Sequence, residues 1–189
     1  MLKADLTSLL QEEIKHRALP DDFIHTVEQW YLPTAQVICQ KQQSLQQCLL
    51  VSFNGAQGSG KSTITAFLRL ILLQQFGLNT VEISIDDFYL TRAGRQQLAR
   101  EVHPLFITRG VPGTHDVELA RATIDCLKQC SSDNPCQLPR FDKASDDRCQ
   151  RADWELVQQP VQVILFEGWC NHAPVQSEQE LLTAVNDLE

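Results

Sequence analysis

Three short runs of apolar residues stand out in the hydropathy pattern of the chain. They occupy residues 48–55, 79–86 and 161–169. Runs that are this short and nearly continuous are typical of strands in a parallel sheet that helices cover on both faces. The pattern therefore predicts an α/β protein, with three α/β/α layers built around a parallel sheet.

Helical periodicity accounts for much of the chain outside these runs. Apolar residues such as Val27, Trp30 and Ile38 recur near the 3.6-residue period. The predicted helices lie within residues 1–48, 63–76, 92–101 and 117–129. We expect residues 1–48 to form a helical cover over a core that is built by residues 49–189.

A glycine-rich turn connects the first predicted strand to the helix after it. Its sequence, GAQGSGKS, fits the pattern G-x-x-x-x-G-K-S/T and lacks the G-x-G-x-x-G spacing of a dinucleotide-binding loop. The glycines let successive N–H groups point at one phosphate, and the helix N-terminus adds a positive dipole end. Lys61 supplies a charge for the β and γ phosphates, and the Ser62 hydroxyl is placed for Mg²⁺. The predicted nucleotide-binding residues are Gly55, Ala56, Gln57, Gly58, Ser59, Gly60, Lys61, Ser62 and Thr63.

Acidic residues end the other two predicted strands. Asp86 and Asp87 follow the second strand, and Glu167 follows the third. Because the carboxyl ends of parallel strands line the ligand crevice, we expect these side chains beside the phosphates. One aspartate would act as the base toward a hydroxyl acceptor, and Glu167 would hold Mg²⁺ directly or through water. The alternative is that the aspartates begin a loop or cap a helix and that Glu167 is a solvated strand end.

Charge and composition narrow the classes of protein. The formal net charge of −8 argues against a general nucleic-acid binder, because affinity for a phosphate backbone needs a basic face. No apolar run is long enough to span a bilayer, and residues 1–17 carry acids that targeting peptides lack. We therefore expect a cytoplasmic protein with neither nucleic-acid nor membrane partners. The seven cysteines are irregularly spaced, which favours reduced thiols.

Residues 109–116, RGVPGTHD, combine an arginine, a turn and a polar pair ahead of a predicted helix. Arg109 can grip a carboxylate with two parallel hydrogen bonds, as a small hydroxy acid would require. His115 and Asp116 are further candidates, although Asp116 can equally cap the helix and His115 can be a satisfied turn residue. Tyr89 either lines the same pocket or packs in an aromatic pair.

Four motifs follow the glycine-rich turn in this order: SIDDFYLT, RGVPGTHD, PRFDKASDDR and ILFEGW. With GAQGSGKST, they resemble the D-glycerate 3-kinase family of plants and fungi and its bacterial relatives, over residues 50–170. More distantly, the layout is similar to uridine kinase, pantothenate kinase and phosphoribulokinase. The resemblance implies the P-loop NTPase fold, Mg²⁺ with ATP rather than GTP, and a small hydroxy acid such as D-glycerate as the acceptor.

The same resemblance implies roles for individual residues. Asp86 matches the base toward the acceptor hydroxyl, Glu167 matches the acid near Mg²⁺, and Asp87 is a neighbour of the base. Without the resemblance, the segment PRFDKASDDR has the composition of a solvated loop. The resemblance marks four of its residues as candidates for contact with the substrate, namely Arg140, Asp142, Lys143 and Arg148.

Two other functions stay open. One is a kinase for a nucleoside or for pantothenate, and the other is a switch or assembly protein that hydrolyses a nucleotide. The chain has no N-K-x-D motif for guanine, and the aspartate-aromatic end of the second strand suits an alcohol acceptor better than water.

The carboxyl-terminal part of the predicted core is short. Three strong strands are found, and residues 176–189 have the pattern of the beginning of a helix. We therefore expect a core that is truncated at its C-terminus, with a sheet that a further segment or a second copy of the chain completes. Two cases stay open: a chain that completes the reaction by itself, and an inactive fragment.

Overall fold

The structure is a computed structural model that describes residues 4–182 of the chain. The helices are α1 (Ala4–His16), α2 (Phe23–Thr26), α3 (Leu32–Leu45), α4 (Lys61–Phe76), α5 (Arg92–Glu101), α6 (Val117–Lys128) and α7 (Glu178–Leu181). The strands are β1 (Leu49–Asn54), β2 (Thr80–Ser84), β3 (Cys136–Leu138), β4 (Phe141–Asp142), β5 (Asp147–Arg148), β6 (Glu155–Val157) and β7 (Val163–Gly168).

The three apolar runs form one parallel sheet with the strand order β1-β7-β2. Glu167 of β7 lies opposite Phe53 of β1 and Ser84 of β2 in the register. Since the strands are parallel, their carboxyl ends meet at the same edge of the sheet. The phosphate loop, Asp86 and Glu167 therefore share that edge, as the sequence predicts.

The side chains of the sheet alternate between two apolar clusters. Val163 and Leu165 pack with α1, α3 and α4 on one face, whereas Ile164 and Phe166 pack with α6 on the other. Helices on both faces give the three-layer α/β/α arrangement of P-loop proteins. The predicted fold class is confirmed.

The amino-terminal helices pack against α4. Leu10 of α1 and Ile38 of α3 are buried in the cluster that contains Phe67 of α4. A π-helical turn over Val27–Tyr31 joins α2 to α3. Trp30 lies in this turn and is 61% exposed, although the apolar pattern of a regular helix predicts that it is buried. A π-helical turn contains more residues than an α-helical turn, so Trp30 no longer lies on the same face as the buried Val27.

The polar region of residues 131–153 contains strands that its composition does not predict. β3 pairs antiparallel with β6, and β4 pairs antiparallel with β5. The β4–β5 hairpin contacts the 3₁₀ turn Ile85–Phe88, which follows β2. The hairpin thereby brings the segment PRFDKASDDR to the carboxyl edge of the sheet.

The predicted carboxyl-terminal helix is described only in part. Ser177 and Glu180 form a capping box at the start of α7, and residues 183–189 lie outside the described residues. Among the described residues, no helix is both long and apolar enough to cross a bilayer. The seven cysteines all lie in the described part of the chain and are free thiols.

Candidate active site

The glycine-rich turn forms the loop between β1 and α4. Gly58 and Gly60 have φ angles of +73° and +86°, which residues with a side chain rarely adopt. At Gly55, a Cβ would lie 2.8 Å from Ser59 Oγ, so a larger residue there would have to displace the Ser59 hydroxyl. Since α4 begins at Lys61, its N-terminus faces the loop, as the motif predicts.

The polar side chains of the loop have separate partners. Lys61 Nζ donates to the Ala56 carbonyl at 2.8 Å, which places the ammonium over the loop. Ser62 Oγ donates to Glu167 Oε1 at 3.2 Å, and Ser84 Oγ donates to the same oxygen at 2.8 Å. Glu167 therefore ties the start of α4 to the ends of β2 and β7.

The donor atoms around Glu167 fit a magnesium ion. A serine hydroxyl and a carboxylate are hard oxygen ligands, which Mg²⁺ prefers. Mg²⁺ is commonly bound by one or two protein oxygens together with substrate phosphates and waters. Ser62 and Glu167 meet this requirement, since both lie at the phosphate loop and touch each other.

Asp86 lies in the 3₁₀ turn after β2. Its N–H donates to Ser84 Oγ at 3.3 Å, which fixes the start of the turn. Its Oδ2 lies 2.7 Å from Lys143 Nζ of the β4–β5 hairpin. Because Lys143 is 62% exposed, this ion pair contributes only about 0–1 kcal/mol. Lys143 can therefore leave Asp86 for another anion at little cost.

An aromatic stack lies beside Asp86. The rings of Tyr89 and His115 stack with centroids 4.3 Å apart, and Tyr89 also packs edge-on against Phe141. Burial, followed by the negative charge of Asp86, raises the pKa of Tyr89 to about 12. The phenol therefore stays protonated near neutral pH and can donate a hydrogen bond. Burial lowers the pKa of His115, so its ring is neutral at pH 7.

One cavity of about 400 Å³ joins most of these groups. Its lining consists of Gln57, Gly58, Lys61, Ser62, Asp86, Tyr89, Arg109, Gly110, Lys143, Glu167, Gly168 and Trp169. The structure thus brings the phosphate loop, the predicted base and the predicted magnesium ligand together with two predicted substrate-binding cations.

Gly110, Gly168 and Trp169 line this cavity although the sequence does not mark them as candidates. Trp169 directly follows the acidic end of β7, so its position in ILFEGW is a signal that could have identified it. Gly110 carries no side chain and gives no chemical signal.

Six predicted substrate-binding residues lie outside the lining of this cavity. They are Asp87, His115, Asp116, Arg140, Asp142 and Arg148. Arg140 Nη1 lies 3.1 Å from Asp87 Oδ2, and the Phe141 N–H donates to Asp87 Oδ1 at 3.3 Å. Burial raises the pKa of Asp87, and the charge of Arg140 opposes that shift. Asp87 and Arg140 therefore attach the hairpin to the turn after β2, and they line an adjoining cavity of about 360 Å³.

The contacts of Asp116 and Arg148 are internal. Arg148 Nη2 donates to the Tyr89 carbonyl at 2.8 Å and to Asp116 Oδ2 at 3.0 Å. Asp116 Oδ1 accepts from the Leu119 N–H at 3.0 Å, so Asp116 caps α6. Asp142 accepts from two backbone N–H groups in the hairpin turn. These residues shape the walls of the site, and their direct contact with a substrate stays a prediction.

Comparisons with known proteins point to kinases. No protein-family model matches the chain. The chain is 35% identical over 129 residues to the chloroplastic D-glycerate 3-kinase of Arabidopsis thaliana, and the match covers 64% of this chain and 28% of the relative. It is 32% identical over 133 residues to a protein of Saccharomyces cerevisiae named as a probable ATP-dependent kinase. That match covers 64% of this chain and 45% of the relative. The chain thus spans less than half the length of these two relatives.

The fold is also similar to that of solved kinases. The D-glycerate 3-kinase from Cryptococcus neoformans aligns with a TM-score of 0.71 and 30% identity, over 82% of this chain and 56% of that chain. The resemblance that the four motifs indicate is confirmed by these matches. The chain therefore has the fold of a P-loop kinase and is similar in sequence and structure to the D-glycerate 3-kinases.

Proposed function

We propose that the chain carries the core of an ATP-dependent kinase that phosphorylates a hydroxyl group of a small carboxylic acid, with D-glycerate as the first acceptor to test. The observation that supports this most is the shared cavity of about 400 Å³, which joins the phosphate loop to Asp86, Glu167 and Arg109. Catalysis of phosphoryl transfer depends mainly on positioning and on stabilisation of charge. A cavity with a phosphate loop, a carboxylate base and spare cations meets both needs.

In the proposed reaction, Lys61 and the N-terminus of α4 bind the triphosphate. The acceptor hydroxyl attacks the γ-phosphorus, the bond to the β–γ bridging oxygen breaks, and ADP leaves. Asp86 accepts the hydroxyl proton. Tyr89 lies in the same wall of the cavity, and its phenol is available as a hydrogen-bond donor to the substrates. Arg109 pairs with the carboxylate of the acceptor. When bound at Ser62 and Glu167, Mg²⁺ would offset the negative charge of the phosphates.

A cytoplasmic location stays a prediction, and one relative is named as chloroplastic.

Replacement of Asp86 tests the proposed base. Asp86→Asn should lower acceptor-dependent turnover by about 10²–10⁴-fold, the usual contribution of a general base. Binding of a fluorescent ATP analogue should persist, because Lys61 and the loop are unchanged. ADP formation from Mg·ATP would be measured with D-glycerate, nucleosides and pantothenate.

Asp133→Asn, at an exposed position in the turn after α6, serves as the matched control. Near-normal turnover of Asp86→Asn would rule out the base role. ADP release by the unmodified protein without any dependence on an acceptor would favour a switch or assembly ATPase instead.

A further inference from the structure

Two arginines share one carboxylate behind the cavity. Arg95 of α5 donates from Nη1 to Asp146 Oδ1 at 3.2 Å and from Nη2 to the Asp146 carbonyl at 2.6 Å. Arg109 Nη1 also donates to Asp146 Oδ1, and it reaches the Lys143 carbonyl at 3.4 Å. Asp146 has a φ of +54°, so the hairpin turn adopts an uncommon backbone angle at the residue that receives both arginines.

The two arginines differ in their exposure. The Arg95 side chain is 1% exposed, whereas Arg109 and Asp146 are 34% and 36% exposed. A buried guanidinium needs a partner of opposite charge, and Asp146 provides it for Arg95. Arg109 lines the cavity and Arg95 does not. The cluster holds two positive charges and one negative charge, so the excess positive charge lies on the side that faces the cavity.

An aromatic ring restrains the same two guanidinium groups. The Cζ atoms of Arg95 and Arg109 lie 5.6 and 5.8 Å from the centre of the Phe141 ring. Both distances are within the range of cation–π attraction. Hydrogen bonds from Arg95, followed by those from Arg109, lower the pKa of Asp146, so the carboxylate stays ionised at neutral pH. Arg109 is therefore held in place before any ligand binds, which reduces the entropy cost of binding.

We propose that Arg95 is a positioning residue that acts through Asp146 on Arg109 and makes the site selective for acceptors that carry a carboxylate. Arg95 compensates the charge of Asp146, and Arg109 keeps its own charge for the acceptor. Without Arg95, Asp146 would neutralise Arg109. The inference rests on the proposed kinase function and identifies the residue that keeps Arg109 available for the carboxylate of the acceptor.

Variants that remove one charge at a time test the contacts between Arg95, Asp146 and Arg109. Arg95→Met fills a similar volume and leaves Asp146 paired with Arg109. The KM for D-glycerate should rise at least about tenfold, the effect of losing one charged hydrogen bond, while kcat and the KM for ATP change little. Glycerol has the same carbon chain without the carboxylate, so its kcat/KM should stay within about threefold, by the same reasoning.

The double variant Arg95→Met with Asp146→Asn restores the single positive charge of Arg109. It should return the KM for D-glycerate most of the way to the value of the unmodified protein, which a merely structural role of Arg95 would not produce. Arg100→Met, at an exposed position of the same helix, is the matched control. An unchanged KM in Arg95→Met, or a double variant no better than the single one, would overturn the inference.

The unmodified protein supplies a test that does not depend on the folding of any variant. Its kcat/KM for D-glycerate should exceed that for glycerol at least tenfold and should fall as salt is added. Equal use of the two acceptors would overturn this inference and the carboxylic-acid part of the proposed function, and it would leave phosphoryl transfer from ATP to a hydroxyl group standing. Absence of phosphorylation of every acceptor would overturn both.

Discussion

At the scale of single residues, His115 shows how burial controls charge next to the cavity. Burial lowers its pKa, although the charge of Asp86 acts in the opposite direction. Its Nε2 atom is buried and has no hydrogen-bond partner among the described residues. A proton on the ring would therefore add a poorly solvated charge behind Tyr89. The neutral ring is the form that suits the stack.

This environment predicts a loss of stability in mild acid. Below about pH 6.5, the ordinary pKa of histidine, the unfolded chain takes up a proton that folded His115 resists. Protonation then favours the unfolded state, so the free energy of unfolding should fall between pH 7.5 and 5.5. His115→Phe keeps an aromatic ring against Tyr89 and does not titrate, so its decline over this range should be smaller.

Urea unfolding at several pH values measures the effect. His25→Gln is the control, because its side chain is 80% exposed. If the free energy of unfolding fell equally with pH in the unmodified protein and in His115→Phe, the prediction would be contradicted.

At the scale of elements, ion pairs hold the β4–β5 hairpin to its neighbours. Arg140 pairs with Asp87 at 3.1 Å and with Glu155 at 2.7 Å, and Arg148 pairs with Asp116 at 3.0 Å. The Asp87 side chain is 17% exposed and the Glu155 side chain is 61% exposed. The ion pair with Asp87 should therefore contribute more to the attachment of the hairpin than the ion pair with Glu155.

Removal of Asp87 should loosen the hairpin. Asp87→Ala leaves the Phe141 N–H without its acceptor and leaves Arg140 paired with Glu155 alone. The expected cost is about 1–3 kcal/mol. Hydrogen exchange of residues 140–148 should become faster, as measured by mass spectrometry. Glu155→Ala removes the exposed partner and should change exchange much less. Equal acceleration in the two variants would show that Asp87 is not the anchor.

The same elements show what can be predicted from sequence and what cannot. β1, β2, β7 and α4 follow from local apolar runs and from one motif, and the structure agrees with them. The hairpin does not follow from local pattern, because β4 and β5 are two residues long each. The ion pair that attaches the hairpin joins Arg140 to Asp87, which are 53 residues apart in the sequence, so a local pattern does not contain it.

The candidate site divides in the same way. Lys61 and Ser62 are fixed by motif spacing, and Asp86 and Glu167 by their places at strand ends. Arg95 gives no such signal, since an arginine among the polar residues of α5 has the pattern of a solvated helix face. Its burial depends on Asp146, which is 51 residues away.

At the scale of the whole molecule, we propose that the amino-terminal helices and the P-loop core unfold together. Leu10 of α1 is completely buried in the cluster that includes Phe67 of α4 and Val163 of β7. A cluster shared by the cover and by the central strand couples their stabilities.

Leu10→Ala should therefore destabilise the whole chain. The expected cost is about 2–5 kcal/mol, which is typical when a buried leucine is truncated. Denaturant unfolding followed by circular dichroism should keep a single transition with a lower midpoint. Val37→Ala, at a side chain that is 64% exposed, should have little effect. Two separate transitions, with only the first one shifted, would indicate that residues 1–48 unfold independently.

The central position of β7 also sets an order of events during synthesis. In the described sheet, β1 and β2 each pair with β7, and Ser62 and Ser84 precede Glu167 by 105 and 83 residues. At about 5–20 residues per second, the ribosome needs several seconds or more to add those residues. During this interval two apolar strands lack their partner, a situation that slows folding and favours aggregation. Nascent chains that stall before residue 163 should therefore need chaperones, and the nucleotide loop can gain its supporting strand only after β7 emerges.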